Sequence, residues 1–91
     1  MDGLAVKVKM VGGDEIVYPL KPRTIVAFEQ KFGKGFGKLL EDGRVELIYW
    51  LGWHSMREAG VVVKPFEGGF LDTVERASLT TDPNSESTEN L

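Results

Sequence analysis

His54 is the single histidine of a 91-residue chain, with Trp50 four residues before it and Glu58 four after it, a spacing that puts all three on one face of a helix. A histidine steadied by a carboxylate can act as a general base. Acid–base work also needs a nucleophile or a second acid beside the pair, and the sequence places neither there, so a local structural contact is the stronger reading. The adjacent carboxylates Asp14-Glu15 and Glu41-Asp42 stand next to glycines in predicted turns, where acids satisfy the backbone. Gly33-Lys34-Gly35-Phe36-Gly37-Lys38 has the glycines of a phosphate cradle. It lacks the Gly-Lys-Ser/Thr ending and does not run from strand to helix, so it reads as a basic, flexible connection. The chain has no cysteine, which removes thiol nucleophiles and disulfides, and one histidine cannot build a His-rich metal site. The expectation is a protein with no catalytic residue, no metal site and no cofactor.

Trp50, Trp53 and Arg57 pose a different question, because Trp and Arg concentrate where proteins bind one another. Trp is also a usual core residue, and a domain this small needs large side chains. Phe66 and Phe70 form a second aromatic pair on a glycine-weakened segment. These five residues, Trp50, Trp53, Arg57, Phe66 and Phe70, are the candidate partner-binding set.

The elements that must position them follow from periodicity. Leu4, Val6, Val8 and Met10 alternate with Ala5, Lys7 and Lys9, and Ile16, Tyr18 and Leu20 with Glu15, Val17 and Pro19, across a Gly12-Gly13-Asp14 turn. That is a β-hairpin with one apolar face. Ile25, Phe28 and Phe32 recur at helical spacing between Pro22 and Gly33; Thr24 is a second possible N-cap. Phe36, Leu39 and Leu40 anchor the connection that follows. The longest predicted helix runs from about Arg44 to Ala59, capped at its start by Asp42 or Gly43 and closed by Gly60. Wound at 100° per residue, it puts Val45, Ile48, Tyr49, Gly52, Met56 and Ala59 on the core face, with Leu47 and Leu51 beside it. Trp50 and Trp53 fall on the other side, flanking Glu46 and Arg57. Val61-Val62-Val63 reads as extended chain, and Pro65 opens a last helix with Phe66, Phe70 and Val74 on one face.

The composition adds limits. The net charge of −3 divides unevenly: residues 1–64 carry +2 and residues 65–91 carry −5. From Thr80 onward the only apolar residue is Leu91, too little to offset the entropy of ordering. The chain therefore reads as one compact domain over residues 1–79 and a disordered acidic tail over residues 80–91. The fold class is α+β, an N-terminal β-hairpin packed on three to four α-helices. No apolar stretch approaches the roughly 20 residues of a membrane span, and no charged-then-apolar leader opens the chain, so the expected protein stays in the compartment that makes it. With a pI near 5.1, hairpin lysines Lys7 and Lys9 read as solvated rather than as phosphate contacts.

Lys21-Pro22-Arg23-Thr24-Ile25-Val26-Ala27-Phe28-Glu29, then Tyr49-Trp50-Leu51-Gly52-Trp53-His54, then Lys64-Pro65-Phe66 and Phe70-Leu71-Asp72-Thr73-Val74 together resemble the tail assembly chaperones of long-tailed bacteriophages, over roughly residues 4–78. The resemblance implies a non-enzymatic protein made late in infection, working in the host cell cytoplasm and absent from the mature virion. Its partners would be the tape measure protein, which it coats, and the tail tube protein, recruited by a longer product of a programmed ribosomal frameshift. This chain would be the short product, and it would self-associate. No nucleic acid or membrane partner is implied. The competing expectations are a head-to-tail joining or tube-associated protein retained in the virion, and a small nucleic-acid-binding regulator that uses the hairpin lysines.

Overall fold

A computed structural model describes residues 3–42 and 44–81. β1 (Leu4–Met10) and β2 (Glu15–Pro19) form the expected hairpin, with Val6 opposite Tyr18 and Val8 opposite Ile16. Helix α1 spans Pro22–Phe32, with Pro22 in the first turn, where its missing N–H breaks no bond. Thr24 does not cap this helix; it lies inside it, fully buried. Short helix α2 covers Gly37–Asp42, and Phe36 just before it is buried edge-on against Phe28, ring centroids 5.5 Å apart. The expected anchoring by the Leu39 and Leu40 side chains lies outside the described residues.

Helix α3 (Val45–Glu58) is entered through extended Arg44 and closed by a paired turn, in which Gly60 N–H donates to Arg57 O and Val61 N–H to Met56 O, each at 3.0 Å. Those bonds satisfy carbonyls the helix end would otherwise orphan. The core face of α3 is rotated from the expected one: Leu47, Trp50, Leu51, Gly52, Ser55 and Met56 are buried, whereas Val45 is exposed. Two neighbours explain the rotation. The sheet meets α3 at Gly52, while α1 meets it at Trp50, so the helix buries two adjoining sides instead of one centred stripe.

The largest departure follows Pro65. In place of a helix, residues 66–70 make a wide turn in which Phe70 N–H reaches back to Pro65 O at 3.1 Å, and Gly69 takes φ +134°, a conformation closed to other residues. One helical turn at Leu71–Thr73 leads into strand β3 (Val74–Thr81), which pairs antiparallel with β1. Val74 thus begins a strand. Thr80 and Thr81, assigned to the tail by composition, pair with Ala5 and Leu4; the expected disorder of residues 82–91 lies outside the described residues.

Among the described residues the result is a mixed α/β fold, a three-stranded antiparallel sheet in the order β2-β1-β3 with three helices. A hairpin is marginal alone, and the third strand gives β1 neighbours on both sides. Val6, Val8, Tyr18, Ala77 and Leu79 face the helices. Lys7, Lys9, Glu15, Arg76 and Ser78 occupy the opposite face, where Lys9 Nζ lies 3.4 Å from Glu75 and Arg76 bridges Glu15 at 3.3 Å and Glu75 at 3.0 Å. A register shift between Lys9 and Met10 leaves Glu75 as the extra residue of a bulge.

Two predictions test this core. A Cβ at residue 52 would lie 2.9 Å from Val8 Cγ2, inside contact distance. Gly52→Ala should lower stability in urea unfolding by about 1–3 kcal/mol, reversing the gain of about 1 kcal/mol that Ala ordinarily brings to a helix; the loss should shrink when Val8→Ala makes room. Burial raises the Tyr18 pKa above its ordinary 10.0. The unfolded chain then loses the Tyr18 proton first as pH rises, so the folded state holds more protons and its stability falls above pH 10. Tyr18→Phe should flatten that fall in unfolding curves taken across pH 9 to about 12.

Candidate functional site

The aromatic side chains of α1, α3 and the 61–70 segment form one continuous series. From Phe36 the contacts run to Phe28, Phe32, Trp50, Trp53, Phe66 and Phe70, with successive ring centroids 5.5, 4.9, 5.4, 6.2, 5.8 and 6.1 Å apart. The angles are tilted or edge-to-face at most steps, as ring quadrupoles prefer. Trp50 is the hinge of the series: only 6% exposed, it packs edge-on against Phe32 and stacks its face on His54 at 4.8 Å and 10°.

His54 completes a polar tie behind that stack. Its Nε2 lies 3.3 Å from Glu58 Oε2, and the other Glu58 oxygen accepts a hydrogen bond from the buried Thr24 hydroxyl. Glu58 therefore joins α3 to α1, and the helical spacing noted for Trp50, His54 and Glu58 holds. The tie has the form of a structural clamp, because the Thr24 hydroxyl donates to the carboxylate instead of to the imidazole. Among the described residues no group of three or more His, Asp or Glu could hold a metal ion, and no helix is long and apolar enough to cross a membrane.

Beyond Trp50 the series emerges at the surface as a groove of about 770 Å³ between α3, the end of α1 and residues 63–68. Phe32, Trp50, Trp53, Val63, Pro65 and Phe66 supply its apolar lining. Lys31, Glu46, Arg57 and Glu67 set charges of both signs on it, and His54 adds a polar wall. Trp53 does most to shape it. The indole N–H donates to Lys64 O at 2.8 Å, Phe66 meets its ring edge-on, and the Arg57 guanidinium lies 4.7 Å from its centroid. One side chain thus clasps the extended connection onto α3 and presents a cation on its own ring.

Trp50, Trp53, Arg57 and Phe66, read from the sequence as two separate candidate patches, line one groove. Trp50 contributes an edge and is otherwise core. Phe70 does not join them: it is fully buried beneath Phe66, because the wide turn at Gly68-Gly69 directs it inward instead of displaying it on a helix face. Val63 and Pro65 had no assigned role, yet they form the wall opposite Trp53. The pairing of the Trp53 indole with a carbonyl eleven residues later has no sequence signal; the β-branched, proline-ended run Val61–Pro65 hints only that an extended segment would lie there.

Comparison with protein-family models, with curated proteins and with solved structures gives no match for this chain.

The clasp is testable. Trp53→Phe keeps the ring and deletes the donor, leaving Lys64 O without its partner. It should cost about 1 kcal/mol. The effect should be local, seen as faster amide hydrogen exchange in residues 61–68 with protection of β1 and α3 unchanged.

Proposed function

We propose that this protein is a tail assembly chaperone of a long-tailed bacteriophage, which holds the tape measure protein through the aromatic groove until the tail tube forms around it. The carrying observation is the groove itself. Its lining pairs a tryptophan and a phenylalanine with an arginine stacked on the tryptophan, the side-chain types on which protein binding energy concentrates. Its volume suits two or three apolar side chains from one face of a helix, and rim charges of both signs can meet the mixed charges that flank such a face. Val62, 98% exposed beside the Val63 wall, extends the apolar surface outside the groove.

A coat protein must also let go. Among the described residues, the groove wall at residues 63–68 is tied to α3 through Trp53, by its hydrogen bond to Lys64 O and its contact with Phe66, and it ends in a glycine turn, which is the kind of segment that opens without unfolding the core. Under this reading the protein acts in the host cytoplasm, makes no covalent change to its partner and needs no cofactor. A longer frameshifted product would bring the tail tube protein. A nucleic-acid regulator is the weaker alternative: Lys9 lies against Glu75 and the Gly13 carbonyl, and Arg76 against Glu15 and Glu75, so two of the three cations on the sheet face already have carboxylate partners.

Co-expression of the full chain with the tape measure protein of the same genome should yield a soluble complex. Trp53→Ala and Phe66→Ala should each weaken it by about 30-fold, the loss expected of a binding hot spot. Folded variants that bind as well as the parent would rule out the groove, and absence of any complex would rule out the chaperone reading. Mass spectrometry of purified particles distinguishes the other phage alternative, since a joining or tube-associated protein stays in the virion.

A further inference from the structure

The two edges of the sheet are protected unequally. β2 has five residues and ends on Pro19, which has no N–H to offer an incoming strand. β3 has eight residues and no proline, and its charged residues Glu75 and Arg76 are both near its start. Residues 77–81, Ala-Ser-Leu-Thr-Thr, carry no charge and none of the devices that usually guard an edge. Among the described residues, residues 76–81 have backbone pairing with β1 on one side, and no turn or loop supplies hydrogen bonds to the other.

We propose that the free edge of β3 pairs with the same edge of a second copy of this chain, joining two three-stranded sheets into one of six strands. The strand is its own complement. An antiparallel pairing with its two-fold axis at Ser78 uses every residue from Glu75 to Thr81 and sets Ala77 opposite Leu79 of the second copy, Arg76 opposite Thr80, and Glu75 opposite Thr81. No charge meets its like, and a small uncharged side chain sits on the axis, where each residue must face itself. Ala77 and Leu79 are half-buried on the face toward the helices, so their cross-strand pairing continues the apolar floor of one sheet into the next. On the outer face Arg76 keeps Glu15 and Glu75 as partners while meeting a threonine. A strand from an unrelated chain would need a matching sequence; a second copy brings one. None of the groove's lining residues belongs to β3.

Sedimentation equilibrium on the full chain alone, from about 10 μM to 1 mM, should show a monomer–dimer equilibrium. Ser78→Lys and Ser78→Glu each place like charges across the axis and should weaken the dimer by about fivefold or more. Mixing the two variants should restore association, because the axis then joins opposite charges. In the monomer Ser78 pairs with Lys7, so the Glu variant gains a favourable neighbour and remains folded even if the Lys variant does not. A parent chain that stays monomeric at 1 mM overturns the proposal, as does a dimer that both charges leave unchanged. Trp53→Ala should dimerise normally; dimerisation lost in that variant while Ser78→Glu still dimerises would assign self-association to the groove instead.

Discussion

Everything in this molecule depends on how closely α3 approaches the central strand. Gly52 lacks the one atom that would collide with Val8, and in its place Val6, Val8 and Ala77 touch the helix backbone region directly. A helix that close presents its flanking residues deep in the interior on both sides. On one side Leu51, Ser55 and Met56 are buried; on the other Trp50 reaches α1 and its phenylalanines. A larger residue at 52 would push α3 outward, loosening both packings together, because dense interiors transmit displacement. The aromatic series, and the groove at its outer end, are therefore built on a missing methyl group.

Trp53 holds a different position in this hierarchy. Trp50 is core and tied, through the His54 stack and the Glu58 link to Thr24, to two helices. Trp53, three residues after Trp50, is half-buried and secures the extended connection. Adjacent tryptophans thus have opposite duties: the first fixes α3 to α1, and the second fastens a segment whose own conformation is set by Gly69. Phe28 is fully buried in the interior, whereas Trp53 and Phe66 are half-buried at the groove. The proposed binding surface thus lies where local adjustment costs the core least.

Much of this order is legible in the sequence, and the exceptions share one cause. The hairpin, α1 and α3 have strong local signals: strict alternation about a glycine turn, proline at a helix start, and glycine at each helix end. The rotation of α3 is not local, because it depends on a second neighbour, α1, meeting the helix at Trp50. β3 was hidden for the same reason. Its alternation of Ala77 and Leu79 with Arg76, Ser78 and Thr80 is present, but Glu75 is an extra residue at a bulge and breaks the register with Val74. Polar Thr80 and Thr81 read as tail by composition, yet β-branched residues suit a strand once β1 offers an open side. Phe70 was misplaced because a glycine pair that weakens a helix can equally well reverse the chain. For the groove, residue types were visible at Trp53, Arg57 and Phe66, whereas its far wall required knowing that Lys64 offers its carbonyl to an indole.

The bulge also connects the two faces of the sheet. By admitting Glu75, it brings a carboxylate within reach of Lys9 and Arg76 and shifts the rest of β3 by one residue, which turns Ala77 and Leu79 toward the helices. Without that insertion, alternation continued from Val74 would put Arg76 and Ser78 on the apolar side and Ala77 and Leu79 in water, since a one-residue slip exchanges the two faces of a strand. The same residue therefore balances charge on the outer face and sets the inner face that covers α3. Sheet register and the ion pairs of the outer face thus both depend on one inserted glutamate.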